Sequence, residues 1–416
     1  MSDPNTLAEN PKDVAEQRNI GRRNFLKLSL GSATVGATAA LFTGAAAAQG
    51  ADEAKLAGDA FRERSPANGY AFFAENADLK PFKFERRPVG PNDVAIDIKY
   101  CGVCHSDIHT ARGDWGSQRV PQVVGHEIAG VVAAVGSAVS NFKVGDRVGV
   151  GCMVNSCRTC PECDAGFEQF CENGPTMTYG SKVDESVEPS GTTQGGYSNS
   201  VVVDRNYVIR IPDGVDLAAA GPIMCSAVTV YSPLRHWNIR RGSKIAIVGL
   251  GGLGHIGVMI AKAIGAEVVV FTTSPEKAAD ARRFGAVDVV VNNDAEKVKA
   301  YRRHFDFILD TASYHHDLDP LMSTLKRDAT LCLVGIGDIR KEPNKLGPFT
   351  TIATRNSFAG SMIGSIRETQ EVIDFCDQHG IAPEFEKVPL AKINEAWRDV
   401  VAKKARYRYV VDMTVA

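Results

Sequence analysis

Gly249-Leu250-Gly251-Gly252-Leu253-Gly254 stands between a run of buried-strand character, Lys244–Val248, and a helical pattern over residues 257–264. The chain holds 39 glycines, so a G-x-G-x-x-G string counts for little alone, and its place between strand and helix supplies the weight. Glycine at such a turn lets backbone approach a pyrophosphate. The helix start turns free N–H groups and the positive end of its dipole toward the same point. Gly249, Gly251, Gly252, Leu253 and Gly254 are therefore candidate cofactor-binding positions. The plainer alternative is a glycine-rich turn that only packs helix against strand. An apolar run at 268–271 completes a strand, helix, strand unit. Strand and helix patterns keep alternating through 275–284, 287–291, 305–309, 318–326 and 330–334. This predicts an α/β chain with a doubly wound parallel sheet over residues 215–357.

An NAD site puts an Asp or Glu about 20 residues past the turn, at the end of the second strand, to hold the ribose hydroxyls. Phe271-Thr272-Thr273-Ser274 occupies that place, and Glu267, near in count, falls at the strand's start. Thr272, Thr273, Ser274 and Lys277 would suit a 2′-phosphate that a carboxylate would repel, so charge favours NADP(H) over NAD(H). The hydroxyls would also serve as a helix cap, and the two roles are compatible.

Residues 61–212 read differently. Short β-branched runs at 94–98, 128–135 and 144–150 are cut by Gly, Pro and Asp, the rhythm of an antiparallel, barrel-like β domain. Beyond 357, residues 369–379 look helical, and 407–413 look like a strand returning to complete that domain.

Ten cysteines are distributed unevenly: seven crowd between positions 101 and 171, while Cys225, Cys332 and Cys376 stand alone. Such clustering suggests metal before disulfides. Cys157, Cys160, Cys163 and Cys171 are separated by two, two and seven residues. Four thiolates that close in sequence can converge on Zn²⁺ and leave no open position, the structural kind of site; disulfide pairing is the alternative. Cys152 lies outside the spacing and reads as a packed free thiol. A dispersed set comprises Cys104 in Cys104-His105-Ser106-Asp107, His126 in Gly125-His126-Glu127, and Cys225. Two thiolates and an imidazole would hold zinc with an open fourth position, as catalysis requires, although each residue alone is more often ordinary buried packing.

The N-terminus belongs outside the fold. Gly21-Arg22-Arg23-Asn24-Phe25-Leu26-Lys27 puts adjacent arginines before the uncharged residues 28–51, and looks like a twin-arginine export signal. Ala46-Ala47-Ala48 before Gln49 offers a cleavage point. Residues 1–48 are thus expected to be a removable signal read by the twin-arginine export machinery, making the protein periplasmic or secreted. An uncleaved anchor, or a cytoplasmic protein, is the alternative. With 47 basic and 49 acidic side chains and 44% hydrophobic residues, neither a disordered chain nor a nucleic-acid binder is expected.

Cys104-His105-Ser106-Asp107-Ile108-His109, Gly125-His126-Glu127, the four-cysteine lobe, Cys225 and the glycine turn together resemble the zinc-dependent medium-chain alcohol dehydrogenases. More narrowly, the chain is similar to their cinnamyl alcohol dehydrogenase-like branch, with its bacterial NADP-dependent aldehyde reductases. The likeness spans residues 70–412. It implies a GroES-like β-barrel catalytic domain over 61–214, a Rossmann domain over 215–357 and a return of 358–416 to the first. It also implies two Zn²⁺ per subunit and a homodimer.

By the same resemblance, Cys104, His126 and Cys225 are ligands of a catalytic zinc, Glu127 sits close behind the metal and can exchange with a ligand, and Asp107 orients His126. Ser106 and His109 match a proton relay running from substrate oxygen through the nicotinamide ribose to water. His105 matches a contact to the cofactor's phosphates, and Trp115 an aromatic of the substrate pocket. Thr272, Thr273, Ser274 and Lys277 correspond to a Ser-Ser-Ser and Lys pattern that recognises a 2′-phosphate, with two threonines adding methyl groups. Residues 360–365 resemble a segment whose backbone meets the nicotinamide. The implied reaction is hydride transfer between nicotinamide C4 and an aldehyde or primary alcohol, with zinc as Lewis acid. A polyol or sugar dehydrogenase on the same scaffold, or an idle NADPH- or zinc-binding sensor, is the alternative. Export and cofactor are in tension, because free NADP(H) is not expected outside the cytoplasm.

Overall fold

A computed structural model describes residues 61–291 and 294–415. The export-signal reading, at residues 1–48, lies outside them. One sheet runs in the order Phe385–Pro389, Arg408–Asp412, Asp93–Gly102, Ile128–Val135, Arg147–Val150 and Ile209–Arg210, with Ser200–Asp204 also paired to Asp93–Gly102. Its long strands carry Val, Ile and Ala in dense runs because both faces are covered. Val94, Ile96, Ile98, Ile128, Val132 and Val148 are fully buried. Val410–Asp412 pairs antiparallel with Tyr100–Gly102, so the chain's end rejoins the sheet built near its start.

The second sheet is entirely parallel, in the order Asp288–Val291, Glu267–Thr272, Lys244–Val248, Phe305–Asp310, Leu325–Leu333 and Ser357–Gly360. Numbered along the chain this is 3-2-1-4-5-6, the doubly wound order, and its direction reverses between Lys244–Val248 and Phe305–Asp310. Ligands of such sheets bind at that reversal, beyond the carboxyl ends of the strands. Helices cover both faces: Ile245, Ile247, Val268 and Leu309 pack to one side, and Ala246, Val248, Phe271 and Ile308 to the other.

Three local expectations change. Only Asp319–Met322 is helical within 318–326, because Leu325 already pairs with Phe305. Within 144–150 only Arg147–Val150 is strand; Asp146 accepts from the Lys143 N–H at 3.0 Å and closes a turn. The helix Ala295–Ala300 has no buried residue and was invisible as an apolar pattern; its start is marked by Asp294 accepting from Lys297 N.

Leu217–His236 is one helical run in three parts, α over Leu217–Pro222, π over Ile223–Ala227 and α over Val228–His236. It is long and apolar enough to cross a membrane, but 89% of its most apolar window is buried in the protein. Pro222 and the wide turn after it set Cys225 apart from the regular ladder, as π-turns often do at sites.

Candidate functional site

Cys104 ends the strand Asp93–Gly102 region and caps the helix His105–Ala111. His126 and Glu127 precede the strand Ile128–Val135, and Cys225 comes from the π-turn. Their four ligand atoms all lie within 4.8 Å of one another, and all four residues are buried. His126 Nε2 is 3.3 Å from Cys225 Sγ. Behind it, Asp107 Oδ1 lies 3.2 Å from His126 Nδ1. Asp107 is itself fixed, accepting from Cys104 N at 3.1 Å, Gly125 N at 3.1 Å and the Tyr197 hydroxyl at 2.8 Å. A carboxylate on Nδ1 leaves the Nε2 lone pair facing the cluster. The Tyr179 hydroxyl, also 3.2 Å from Nδ1, completes the back of the ring.

Glu127 pairs with Arg408, both essentially inaccessible. Burial works against charge on both, and lifts the Glu127 carboxyl to about 8 despite the guanidinium. Glu127 Oε2 has no hydrogen-bond partner. Two thiols, an imidazole and a carboxylate with an unshared oxygen, closed off from water, form a donor set that fits a divalent zinc-like cation and wants its charge. Cys152, expected to be a packed free thiol, is buried and unbridged as expected but packs with Cys104, Cys225 and Ile363 in the cluster's wall. The pairing of Val150 with Ile128 carries it there, which no cysteine spacing reveals.

Beside the cluster, Ser106 Oγ is 3.5 Å from Cys104 Sγ. His109 is buried, its Nδ1 2.7 Å from Asp114 Oδ2, while its Nε2 has no protein partner. Trp115 stacks on His109 at 5.1 Å and donates from Nε1 to the Gly337 carbonyl at 2.9 Å. Arg340 pairs with the other Asp114 oxygen. His105 lies 5.6 Å from His109, ring to ring, and burial brings it down to about 4, so it is neutral at pH 7.

The glycine turn is built as its sequence demands. Gly249 has φ +88°, and a Cβ on Gly254 would stand 1.9 Å from the Gly249 carbonyl oxygen. Nothing lies within 4 Å of where a Gly251 side chain would begin, while Gly252 faces Arg408. The turn and the thiol cluster thus share one guanidinium. Lys277 is buried, donating to the Leu250 carbonyl at 3.1 Å with Nζ 5.4 Å from the Tyr407 ring centre. Thr272 is buried and accepts from Ser274 N at 3.1 Å; Thr273 is exposed; Ser274 starts the short helix Pro275–Lys277 without a side-chain cap bond. Glu267 sits at the opposite strand end, beside Lys244. Leu253 caps the helix Gly254–Ile264.

Five further residues hold this machinery and escaped the sequence reading: Tyr179, Tyr197, Asp114, His255 and Arg408. His255 Nδ1 donates to the Gly251 carbonyl at 3.0 Å, and Nε2 accepts from Glu384 N at 3.2 Å. Its ring stacks on Tyr407 at 5.1 Å. The segment 360–365 brings Ile363 against Cys104 and Cys225, and Ser365 caps the helix Ile366–His379 through a reciprocal bond with Glu368.

The four-cysteine lobe closes separately. Its Sγ atoms lie within 4.8 Å of one another, Cys157 and Cys163 at 3.9 Å, and none is in a disulfide. The Thr159 N–H and the Asn173 side chain bring the Cys157 thiol down to about 5. Four sulfurs so placed fit a thiolate metal site.

Residues 90–213 match the family model for the alcohol dehydrogenase GroES-like domain, and residues 252–378 that for zinc-binding dehydrogenase. NADP-dependent alcohol dehydrogenase C 1 of Mycolicibacterium smegmatis is 47% identical over 84% of this chain and 98% of its own. Aldehyde reductase YahK of Escherichia coli is 46% identical over 82% and 96%. The cinnamyl alcohol dehydrogenase of Helicobacter pylori, solved with NADP(H), superposes with a TM-score of 0.79 at 40% identity, covering 85% of this chain and 99% of that one.

Proposed function

The chain belongs to the zinc-type medium-chain alcohol dehydrogenase family and is an oxidoreductase of that kind, and from that premise we propose that it reduces aldehydes to primary alcohols, and reverses the reaction, with NADP(H). The observation that carries the proposal is the buried Cys104, His126, Glu127 and Cys225 cluster joined to the glycine turn by Arg408. Cys104, His126 and Cys225 would hold a catalytic zinc, and Cys157, Cys160, Cys163 and Cys171 a structural one. When bound, zinc supplies Lewis acidity toward the substrate oxygen and the nicotinamide supplies or accepts a hydride at C4.

The chain's own residues do the rest. Asp107 holds His126 in the tautomer that turns Nε2 forward. Ser106 Oγ, next to Cys104, holds the proton that leaves or joins the substrate oxygen. His109 Nε2, buried and unpartnered, is the next station, and Asp114 fixes its ring through Nδ1. Gly251 leaves room for the pyrophosphate, the turn at Gly249 lets the backbone approach it, and Arg408, against Gly252, offers it charge. The 2′-phosphate falls to Thr273, Ser274 and a Lys277 that exchanges the Leu250 carbonyl for it. The absence of a carboxylate at the end of Glu267–Thr272 supports NADP(H) over NAD(H). A homodimer joined along the edge strand Ser357–Gly360, and export directed by residues 1–48, complete the proposal.

Aldehyde-dependent loss of NADPH absorbance, with zinc quantified in the same sample, is the test. Turnover with NADPH well above NADH is expected. Absence of turnover across aromatic and aliphatic aldehydes would overturn the proposal. Ser106→Ala is expected to cut turnover on the order of a hundredfold while NADPH affinity stays; a collapse of affinity contradicts the relay.

A further inference from the structure

A cavity of about 580 Å³ opens beside His109, between the helix His105–Ala111 with its following turn and two loops of the parallel sheet. Those loops, residues 313–317 and 338–345, follow the carboxyl ends of Phe305–Asp310 and Leu325–Leu333, on the far side of the strand-order reversal from Glu267–Thr272. The volume suits a small molecule. His109, 8% exposed, lines it with Nε2 unpartnered.

Most charges around this cavity are already committed. Asp114 is shared by His109 and Arg340, and Asp338 by Arg340 and, at 4.0 Å, Lys341. His316 lies on Asp310, and His315 Nε2 on the Asp338 carbonyl oxygen. Asp317 accepts from Asp319 N, and Glu342 is exposed. Arg112 is different: half-buried, it makes no ion pair and no side-chain hydrogen bond among the described residues. A part-buried arginine with no ion-pair partner among the described residues can receive an anion, and its fork matches a carboxylate. Lys345, exposed and without a side-chain partner among the described residues, adds the same sign.

We propose that Arg112 is a carboxylate-recognising residue of the substrate site, and that the preferred substrates are short-chain aldehydes bearing a carboxylate. The proposal rests on the reductase reading of the cleft. The carboxylate would sit on Arg112 and the aldehyde would extend past His109, the relay residue that lines the cavity.

The test compares 4-oxobutanoate with butanal on the full, zinc-loaded protein with NADPH. The ratio of their kcat/KM values is expected to favour the oxo acid by about tenfold or more. Arg112→Gln is expected to lower that ratio about tenfold, with Arg112→Lys between. In the wild type alone, raising NaCl from roughly 0.05 to 0.5 M should move the ratio toward one. Turnover of butanal with no preference for the oxo acid, or a ratio indifferent to salt and to Arg112→Gln, overturns the subsite and leaves the reductase reading standing. A raised KM for NADPH in Arg112→Gln with the ratio unchanged assigns the guanidinium to a cofactor phosphate and also overturns it. If neither aldehyde is turned over, calorimetry on the NADPH-saturated protein decides the subsite, and the reductase reading is decided separately by turnover of aromatic aldehydes. Butanoate binding that weakens about tenfold in Arg112→Gln sustains it, and equal binding of butanoate and butanamide overturns it.

Discussion

His255 has no room to be charged. One ring nitrogen donates to Gly251, the other accepts from Glu384 N, and Tyr407 covers the face. Burial brings it down to about 3, against about 6.5 in an unfolded chain. Between those values the unfolded state binds one more proton, so this residue's contribution to stability is intact above about pH 6.5 and is lost as the pH falls, at about 1.4 kcal/mol per unit. The melting temperature of the wild type is therefore expected to fall more steeply from pH 7 to 5 than that of His255→Gln, and parallel pH profiles would contradict the assignment. Residues of this kind were hidden from sequence reading because their partners are remote: Arg408 meets Glu127 across 281 positions and Tyr197 meets Asp107 across 90. Cys104, His126 and Cys225 were scarcely more legible from spacing, and only their joint resemblance to a known pattern drew them together.

At the scale of elements, the apolar run of Glu267–Thr272, buried on both faces, and the helical pattern of Ile366–His379, buried on one, were legible, whereas Ala295–Ala300, with no buried face, was not. The four-cysteine lobe was legible because its ligands lie within one short stretch and need no sheet to bring them together. That independence has a consequence for metal content. Cys163→Ser is expected to reduce zinc from two to one per chain by elemental analysis, with the Cys104, His126 and Cys225 cluster still loaded; two zincs retained would refute the lobe as a metal site. Cys225 shows the opposite dependence, since its position requires Pro222, the π-turn and the packing of the whole helical run.

Across the whole molecule, Ser357–Gly360 leaves one edge of the parallel sheet unpaired. Phe358, Phe349 and Ile352 are 43%, 82% and 73% exposed around it, an apolar rim on an open edge that invites a second copy. Protein isolated from the native host's periplasm is expected to begin near Gln49 and to sediment as a dimer, with Phe358→Glu shifting it to monomer. Recovery from the cytoplasm with residues 1–48 intact contradicts export, and a monomeric wild type contradicts the interface.

The strand Arg408–Asp412 delivers the side chain that both the cofactor turn and the buried carboxylate need. During synthesis, a ribosome that has released every thiol of both clusters and the entire glycine turn still withholds Arg408. Until then the Glu127 carboxyl has no guanidinium beside it, and burial, which lifts it to about 8 even with Arg408 in place, holds it neutral. The pairing of Glu127 with Arg408, 281 positions apart, therefore forms only after the last strand emerges.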